Sequence, residues 1–270
     1  MKFSVLLSLY YKESPLYLHQ SLESVFNQTL RPTEVVLVKD GPLTDELNHV
    51  VDEYTAKYPE IKLVSLAQNV GLGRALNEGL KKCSYDLVAR MDTDDICKPQ
   101  RFEKQVGFFE KHPDIDVVGA WIDEFQQDII NVISTRKLPE THREIELFGH
   151  KRNPINHPVV MFRKEMVKAV NSYQPFYLFE DYYLWVRMLL NGAKFYNIQE
   201  SLLYFRFSPD MIKRRGGIKY AYVEAKFQWV LYKLGYISFA KSVINTGLRS
   251  GTRIIPNGLR GWLYKNLLRK

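Results

Sequence analysis

Cysteine is scarce in this chain, with two residues, Cys83 and Cys97, among 270. Two thiols are too few for a disulfide framework or a zinc knuckle, so we expect reduced thiols in a cytoplasmic protein. The apolar opening, residues 3–11, is shorter than the roughly 20 residues that cross a membrane. Lys12 and Glu13 follow it, with no small-residue cleavage site. We interpret the opening as a first buried strand.

Several motifs of well-known enzyme classes are also missing. No HExxH metalloprotease motif and no serine in a nucleophile elbow is present, which argues against those hydrolases. The stretch NVGLGRALNEG has Leu76 where a dinucleotide-binding fingerprint needs its third glycine. There is no internal repeat and no low-complexity segment, and the length fits one large globular domain, or one domain with an appendage.

Acidic residues are almost absent from the last part of the chain. Residues 213–270 contain 13 Lys or Arg and a single acid, Glu224, whereas the rest of the chain is net negative despite a total of +8. We therefore predict a domain over 1–212 and a basic amphipathic helical tail over 213–270. The tail is interpreted as a solvated helix face, or as a docking segment for an anionic membrane or a nucleic acid. Its bulky apolar face favours the membrane, and we expect no nucleic-acid partner.

Strand and helix patterns alternate along the first half of the chain, which predicts an α/β fold with a mostly parallel, Rossmann-like sheet. The second half is less regular and predicts a mixed extension of that sheet. The predicted strands are 3–9, 34–39, 61–66, 85–91, 116–121, 157–162, 195–198 and 202–207; the predicted helices start at Ser14-Pro15 and cover 43–58, 74–82, 100–111, 181–191 and the tail from about 213.

Carboxylates follow two of these strands at their carboxyl ends. Asp40 comes after the second strand, and VARMDTDDICKP places Asp92, Asp94 and Asp95 after the fourth. Ligands of open α/β sheets bind at this edge, so we expect the acids to share one crevice. Oxygen ligands suit Mg²⁺ or Mn²⁺, with a substrate diphosphate completing the shell. The alternative is that these acids cap the helix that follows.

Three further stretches contain candidate residues, each with a structural alternative. Arg74 is expected to face a nucleotide, or to be an ordinary residue of a helix that follows a turn. Glu180 and Asp181 open a helix, where acids favour the helix dipole, and one of them is alternatively a general base. His157 in NPINHPVV is a packed histidine or a site residue.

Taken together and in this order, the motifs resemble family 2 glycosyltransferases with the GT-A fold, especially bacterial enzymes of polysaccharide, O-antigen or capsule assembly. The resemblance spans about residues 2–207. It rests on SVLLSLYYKES, VVLVKDGP, NVGLGRALNEGL, ARMDTDDICKPQRFEKQ, NHPVVMFRKE and FEDYYLWVRML. The first two depart from the family pattern: only the tyrosine of Pro-Val-Tyr-Asn is kept, as Tyr10, and Lys39 replaces the first acid of Asp-Asp-Gly-Ser.

The resemblance implies roles for individual residues. Asp94 would be the chief metal ligand of an Asp-x-Asp motif, with Asp92 facing the ribose, the diphosphate and the metal, and Asp95 a supporting acid. Asp181 would be the catalytic base, with Glu180 beside it, and His157 would line the acceptor side. The remaining nucleotide-binding positions would be Ser8, Tyr10, Asp40, Arg74 and Thr93.

The expected activity is therefore transfer of a sugar, with inversion, from a nucleotide-sugar donor, a UDP-sugar first of all, to a hydroxyl of a glycan or lipid-linked oligosaccharide. A divalent metal, Mn²⁺ or Mg²⁺, would assist. We expect a cytoplasmic enzyme whose tail docks on the inner face of the plasma membrane. Two alternatives stay open: a sugar nucleotidyltransferase, although LYYKESP lacks the glycine-rich loop which such enzymes need, and a non-catalytic membrane-binding or nucleic-acid-binding module.

Overall fold

The computed structural model describes residues 1–208 and 216–254. The chain divides into two compact units, one of Met1–Glu146 with Asn153–Arg206, the other of Leu147–Arg152 with the chain from Phe207 onward. The strands are β1 Phe3–Leu9, β2 Glu34–Lys39, β3 Ile61–Ser65, β4 Leu87–Arg90, β5 Ile96–Cys97, β6 Val117–Phe125, β7 Ser134–Arg136, β8 Met161–Arg163 and β9 Phe195–Arg206; the helices are α1 Pro15–Phe26, α2 Asp45–Lys57, α3 Leu72–Lys82, α4 Arg101–Lys111, α5 His142–Gly149, α6 Lys164–Ala169, α7 Glu180–Leu190, α8 Ile218–Lys233 and α9 Phe239–Ile254.

Within the described residues, the strands of the first unit form one sheet in the order β3-β2-β1-β4-β8-β6-β9-β5, with β7 paired to β6. The pairs β3–β2, β2–β1, β1–β4 and β6–β9 are parallel, and β5, β7 and β8 run antiparallel to their neighbours. The α/β class, the mostly parallel sheet and its mixed extension are as predicted.

Helices cover both faces of this sheet, which explains the unbroken apolar runs in its central strands. One core cluster includes Leu18 of α1 and Phe102 of α4, and the other includes Leu76 of α3 and Trp185 of α7. Helix α3 packs so closely that a Cβ on Gly79 would lie 2.4 Å from Leu6 Cδ1. The sheet is thereby fixed between two layers, and its carboxyl-end loops have a rigid base.

Two predictions about the second half were wrong. Residues 157–162 are not one strand: His157–Val159 is a 3₁₀ turn and only Met161–Arg163 is extended. Pro158 explains this, because it has no N–H for a ladder hydrogen bond. The two strands predicted over 195–198 and 202–207 are one continuous strand, β9, with a register shift opposite Trp121.

The second unit contains the helical part of the predicted tail, α8 and α9. Phe227 and Leu231 are buried on α8. Residues 213–215 and 255–270 of the predicted tail lie outside the described residues. None of the described helices combines the length and the apolar character needed to cross a bilayer.

Candidate active site

The three acids of the DTDD stretch converge beyond the carboxyl end of β4. One oxygen from each of Asp92, Asp94 and Asp95 lies within 4.8 Å of the other two. Asp95 is fully buried, and the other two are partly buried. Residues 91–95 separate β4 from β5 and include a turn at residues 93–94, so the three carboxylates can face a common point. We call these residues the acid trio.

The negative charge of the acid trio is poorly compensated. Burial and the neighbouring carboxylates of Asp94 and Asp92 raise the pKa of Asp95 well above its usual range. Burial, Asp92 and Glu13 raise the pKa of Asp94 to about 7. The backbone N–H of Arg206 donates to Asp95 Oδ1 at 2.8 Å, but the buried Asp95 Oδ2 has no hydrogen-bond partner in the described part of the chain. The arrangement is suited to receiving a cation.

A buried cation lies behind the acid trio. Arg90, the last residue of β4, is 1% exposed, and its Nη2 donates to Asp92 Oδ1. Its Nε and Nη1 have no hydrogen-bond partner among the described residues. Sequence reasoning did not assign Arg90 a role. The available signal was a charged residue ending a buried strand directly before an acidic motif.

Glu13 is a second residue that sequence reasoning missed. Thr93 Oγ1 lies 3.1 Å from Glu13 Oε2 and 3.5 Å from the carbonyl oxygen of Ser8. The loop after β1 therefore meets the acid trio through the backbone of Ser8 and the carboxylate of Glu13. Burial raises the pKa of Glu13, an effect that its hydrogen bonds to Ser14 and Thr93 only partly offset. Tyr10, in the same loop, is 38% exposed.

Asp40 holds the loop that precedes α3. Its carboxylate accepts hydrogen bonds from the backbone N–H groups of Val70 at 2.7 Å and Gly71 at 3.1 Å, and from Asn69 Nδ2 at 3.0 Å. These bonds explain its burial in a turn. Arg74, in the first turn of α3, is exposed and borders a groove of about 680 Å³ that the acid trio does not line. A contact of Asp40 or Arg74 with a nucleotide stays a prediction.

Glu180 and Asp181 start α7, after Leu178 with its left-handed φ of 63°. Such a backbone is strained for leucine, and this kind of strain often accompanies functional sites. Asn153 Nδ2 donates to Asp181 Oδ2 at 2.6 Å. The Glu180 side chain packs at the start of α3, where a Cβ on Gly73 would lie 3.5 Å from Glu180 Cγ. Burial and Asp181 raise the pKa of Glu180.

His157 and Tyr173 form a hydrogen-bonded pair near Asp181 and Asp92. His157 Nε2 lies 2.9 Å from the Tyr173 hydroxyl. Burial, and then the charge of Arg90, lower the pKa of His157 well below its usual value, so the imidazole is neutral. Burial raises the pKa of Tyr173, and Asp181 and Asp92 both lie near enough to raise it further. The structure thus brings the β4 end, the 3₁₀ turn and the start of α7 to one site.

An α/β sheet with a carboxylate cluster at its carboxyl edge is the arrangement expected of a GT-A enzyme. Residues 4–170 match the model of the family described as glycosyl transferase family 2. Over 269 residues the chain is 42% identical to the UDP-Gal:alpha-D-GlcNAc-diphosphoundecaprenol beta-1,3-galactosyltransferase of Escherichia coli, covering 100% of this chain and 97% of that protein. It is 39% identical to the amylovoran biosynthesis glycosyltransferase AmsE of Erwinia amylovora, covering 97% and 98%.

A similar solved structure is that of S. aureus TarS 1-349 in complex with UDP-GlcNAc. The TM-score is 0.67 at 20% identity, and the match covers 92% of this chain and 71% of that one. At this identity the likeness establishes the shared fold. The chain belongs to glycosyl transferase family 2, and it is a glycosyltransferase. The resemblance drawn from the sequence is confirmed, and the nucleotidyltransferase and non-catalytic alternatives lose their support.

Proposed function

We propose that the protein transfers a sugar, with inversion, from a UDP-sugar to a hydroxyl of a glycan or lipid-linked oligosaccharide. The observation that carries the proposal is the under-neutralised acid trio, together with Tyr173, which lies near both Asp92 of that trio and Asp181. The name of the E. coli relative, which contains UDP-Gal and a diphosphoundecaprenol-linked sugar, supports this donor and acceptor class. Its 42% identity extends over the whole of this chain.

The acid trio fits a divalent metal. Its donors are hard oxygens within 4.8 Å of each other, and one buried oxygen, Asp95 Oδ2, has no partner in the described part of the chain. Asp94, with Asp92, would hold Mn²⁺ or Mg²⁺, which prefer such ligands. When bound, the ion supplies positive charge that stabilises a leaving diphosphate.

Asp181 is proposed as the base. The acceptor hydroxyl oxygen attacks the anomeric carbon, its proton moves to the Asp181 carboxylate, and the bond from the anomeric carbon to the diphosphate oxygen breaks with its electron pair. Asn153 holds Oδ2, and the Tyr182 N–H donates to Oδ1 at 2.7 Å. These two bonds fix the plane of the carboxylate, so the base is oriented before the acceptor arrives.

The donor nucleotide would lie along the loops after β1, β2 and β4, which contain Ser8, Tyr10, Asp40 and Thr93, with Arg74 nearby. Asp40 already accepts three hydrogen bonds, and a carboxylate has about four acceptor positions, so one remains for a base N–H. On the acceptor side, His157 would act as a neutral hydrogen-bonding group. A cytoplasmic enzyme acting at the inner face of the plasma membrane is consistent with a lipid-linked acceptor.

The test is the variant Asp181→Asn. We expect a fall of about 10²–10⁴-fold in kcat, the usual contribution of a positioned base, with unchanged affinity for UDP in calorimetry. Asp52→Asn is a matched control, because Asp52 is exposed on α2. Lost UDP affinity in Asp181→Asn would contradict the base assignment. A panel of sugar nucleotides with and without Mn²⁺, with the product anomer read by NMR, tests the donor, the metal and the inversion.

A further inference from the structure

Helix α9 of the second unit presents its apolar residues outward. Phe239, Val243, Ile244 and Leu248 are 56%, 56%, 59% and 67% exposed. Their spacing places them along one side of the helix. We call these four residues the α9 outer face.

The opposite side of α9 is polar and buried. Ser242 is 4% and Asn245 9% exposed. Ser242 Oγ donates to the Gln228 carbonyl oxygen at 3.0 Å, and Asn245 Nδ2 donates to Gln228 Oε1 at 3.0 Å. Arg249 forms a two-pronged ion pair with the fully buried Glu224 of α8, at 2.5 and 3.2 Å. Hydrogen bonds and an ion pair therefore hold α9 to α8.

This polarity is the reverse of a helix in water, which turns its apolar side toward a core and its polar side outward. The inward polar groups have partners, so the arrangement is stable as it stands. A contiguous exposed apolar face of this kind marks an interaction surface. The question is which partner covers it.

An aromatic group at the α8–α9 junction indicates the partner. The Tyr232 ring lies 5.3 Å from that of Trp229 and 5.5 Å from that of Phe239, so the rings continue the α9 outer face onto α8. Lys233 Nζ lies 5.1 Å from the Trp229 ring centre. Aromatic rings beside lysine are typical of the boundary between lipid headgroups and acyl chains.

The charge of this region selects an anionic partner. The single acid of residues 213–270, Glu224, is paired with Arg249, so it neutralises one of the 13 basic residues and leaves a net charge of +12. Two copies of a segment with this net charge would repel each other, whereas each basic residue near an anionic bilayer contributes about 1 kcal/mol of binding.

We infer that the α9 outer face, with Trp229 and Tyr232, docks in the plane of an anionic lipid bilayer, its apolar side chains entering the headgroup boundary. This inference rests on the proposed function. It extends that function by naming the residues that would bring the enzyme to a lipid-linked acceptor. It differs from a purely electrostatic tail, because apolar insertion through α9 is essential to it.

The experiment compares the full-length protein with the variant Val243→Glu/Ile244→Glu in co-sedimentation with phosphatidylcholine vesicles, with and without phosphatidylglycerol. We expect wild type to bind the anionic vesicles, and the variant to bind about tenfold more weakly or worse, because two apolar side chains that enter the lipid become charged. Ile130→Glu is the matched control: Ile130 is 83% exposed in the first unit, and its variant should bind like wild type. Wild-type fluorescence should shift to shorter wavelength on binding, and Trp229→Phe should remove most of that shift.

Undiminished vesicle binding by the double variant, with an unchanged melting curve, would overturn the inference. A second result would also overturn it: wild type is a dimer in analytical ultracentrifugation, the double variant is a monomer, and neither binds vesicles. A second copy of the chain would then cover this face. UDP affinity, measured in parallel, separates the two proposals. Intact UDP binding without vesicle binding rejects only the docking surface, and vesicle binding without UDP binding rejects only the proposed function.

Discussion

Buried carboxylates at the two ends of the sheet have pKa values shifted in opposite directions. At the amino end, Glu34 of β2 is 7% exposed. It accepts hydrogen bonds from Ser4 Oγ at 2.7 Å, Lys62 Nζ at 2.6 Å, and Ser84 N and Oγ at 2.8 and 2.9 Å. Burial by itself would raise the pKa of Glu34, but Lys62 and the serine donors outweigh burial and lower the pKa to about 2.

At the carboxyl end of the sheet, burial has the larger effect on the pKa values of the carboxylates. Asp94 and Asp95 lie among like charges with few donors, and their pKa values are raised, that of Asp94 to about 7. A carboxylate with all its donors in place stabilises the fold, whereas a cluster that lacks them is stable only when something else supplies the charge. The number of donors therefore distinguishes scaffold from site in this sheet.

The largest expected difference is in catalysis. Asp94→Asn should lower kcat/KM by about 10²-fold or more, since it removes a proposed ligand of the metal ion whose positive charge would stabilise the leaving diphosphate. Glu34→Gln should leave kcat/KM unchanged, because Glu34 is at the far end of the strands. Steady-state kinetics with a UDP-sugar measures both. Equal losses of kcat/KM in the two variants would contradict the assignment of one sheet end to the site and the other to the scaffold.

A smaller effect concerns stability. Glu34→Gln should lower the free energy of unfolding by about 2 kcal/mol, because charge-assisted hydrogen bonds are lost and buried donors are left partly unmatched. Urea unfolding at neutral pH measures this effect. Ser65→Ala, at the end of exposed β3, is a control expected to change little.

From the lowered pKa of Glu34 we also expect the protein to lose stability in acid. The folded pKa of Glu34, about 2, lies below the usual value of 4.5, so its contribution is complete above pH 4.5 and is lost as the pH falls toward 2. Thermal unfolding across this range should bring the melting temperatures of wild type and Glu34→Gln together at low pH. Curves that stay parallel would contradict the assignment.

The smallest expected effect is a pH dependence of stability that comes from the acid trio and has the opposite sign to that of Glu34. Because the folded pKa of Asp94 is about 7 and its usual value is 3.8, metal-free protein should become more stable as the pH falls from about 7 toward 3.8. Asp94→Asn should remove that gain, a change on the order of 1 kcal/mol, since water partly screens this half-buried group. Chemical unfolding in EDTA tests this. A wild-type pH dependence identical to that of Asp94→Asn would refute it.

The sequence predicted the first half of the fold well. Strands β1 and β2 begin and end where predicted, because apolar runs are local signals, as is the Asp40-Gly41-Pro42 sequence that follows β2. The same signals placed Asp40 and the acid trio at strand ends. Helix α7 was predicted over 181–191, one residue later at each end than the observed Glu180–Leu190; its acidic first turn is also a local feature.

The short strands β5 and β7 were not predicted, because two or three residues are too few to show a period. At His157 the apolar run outweighed the effect of Pro158, and the strand prediction was wrong. The sequence also did not show that α9 buries its polar side and exposes its apolar side. Periodicity shows that the helix has two different sides, but it does not show which of them is buried.

Local patterns in the sequence thus determined which segments form strands and helices, where the acidic motif stands, and the family to which the chain belongs. Only the tertiary structure decided which groups meet across the chain: Arg90 behind Asp92, Asn153 on Asp181, His157 on Tyr173, and four donors on Glu34. The physical reason is that periodicity depends on neighbours within a few residues. The charge balance of a buried group, by contrast, depends on partners that the topology brings together from distant positions.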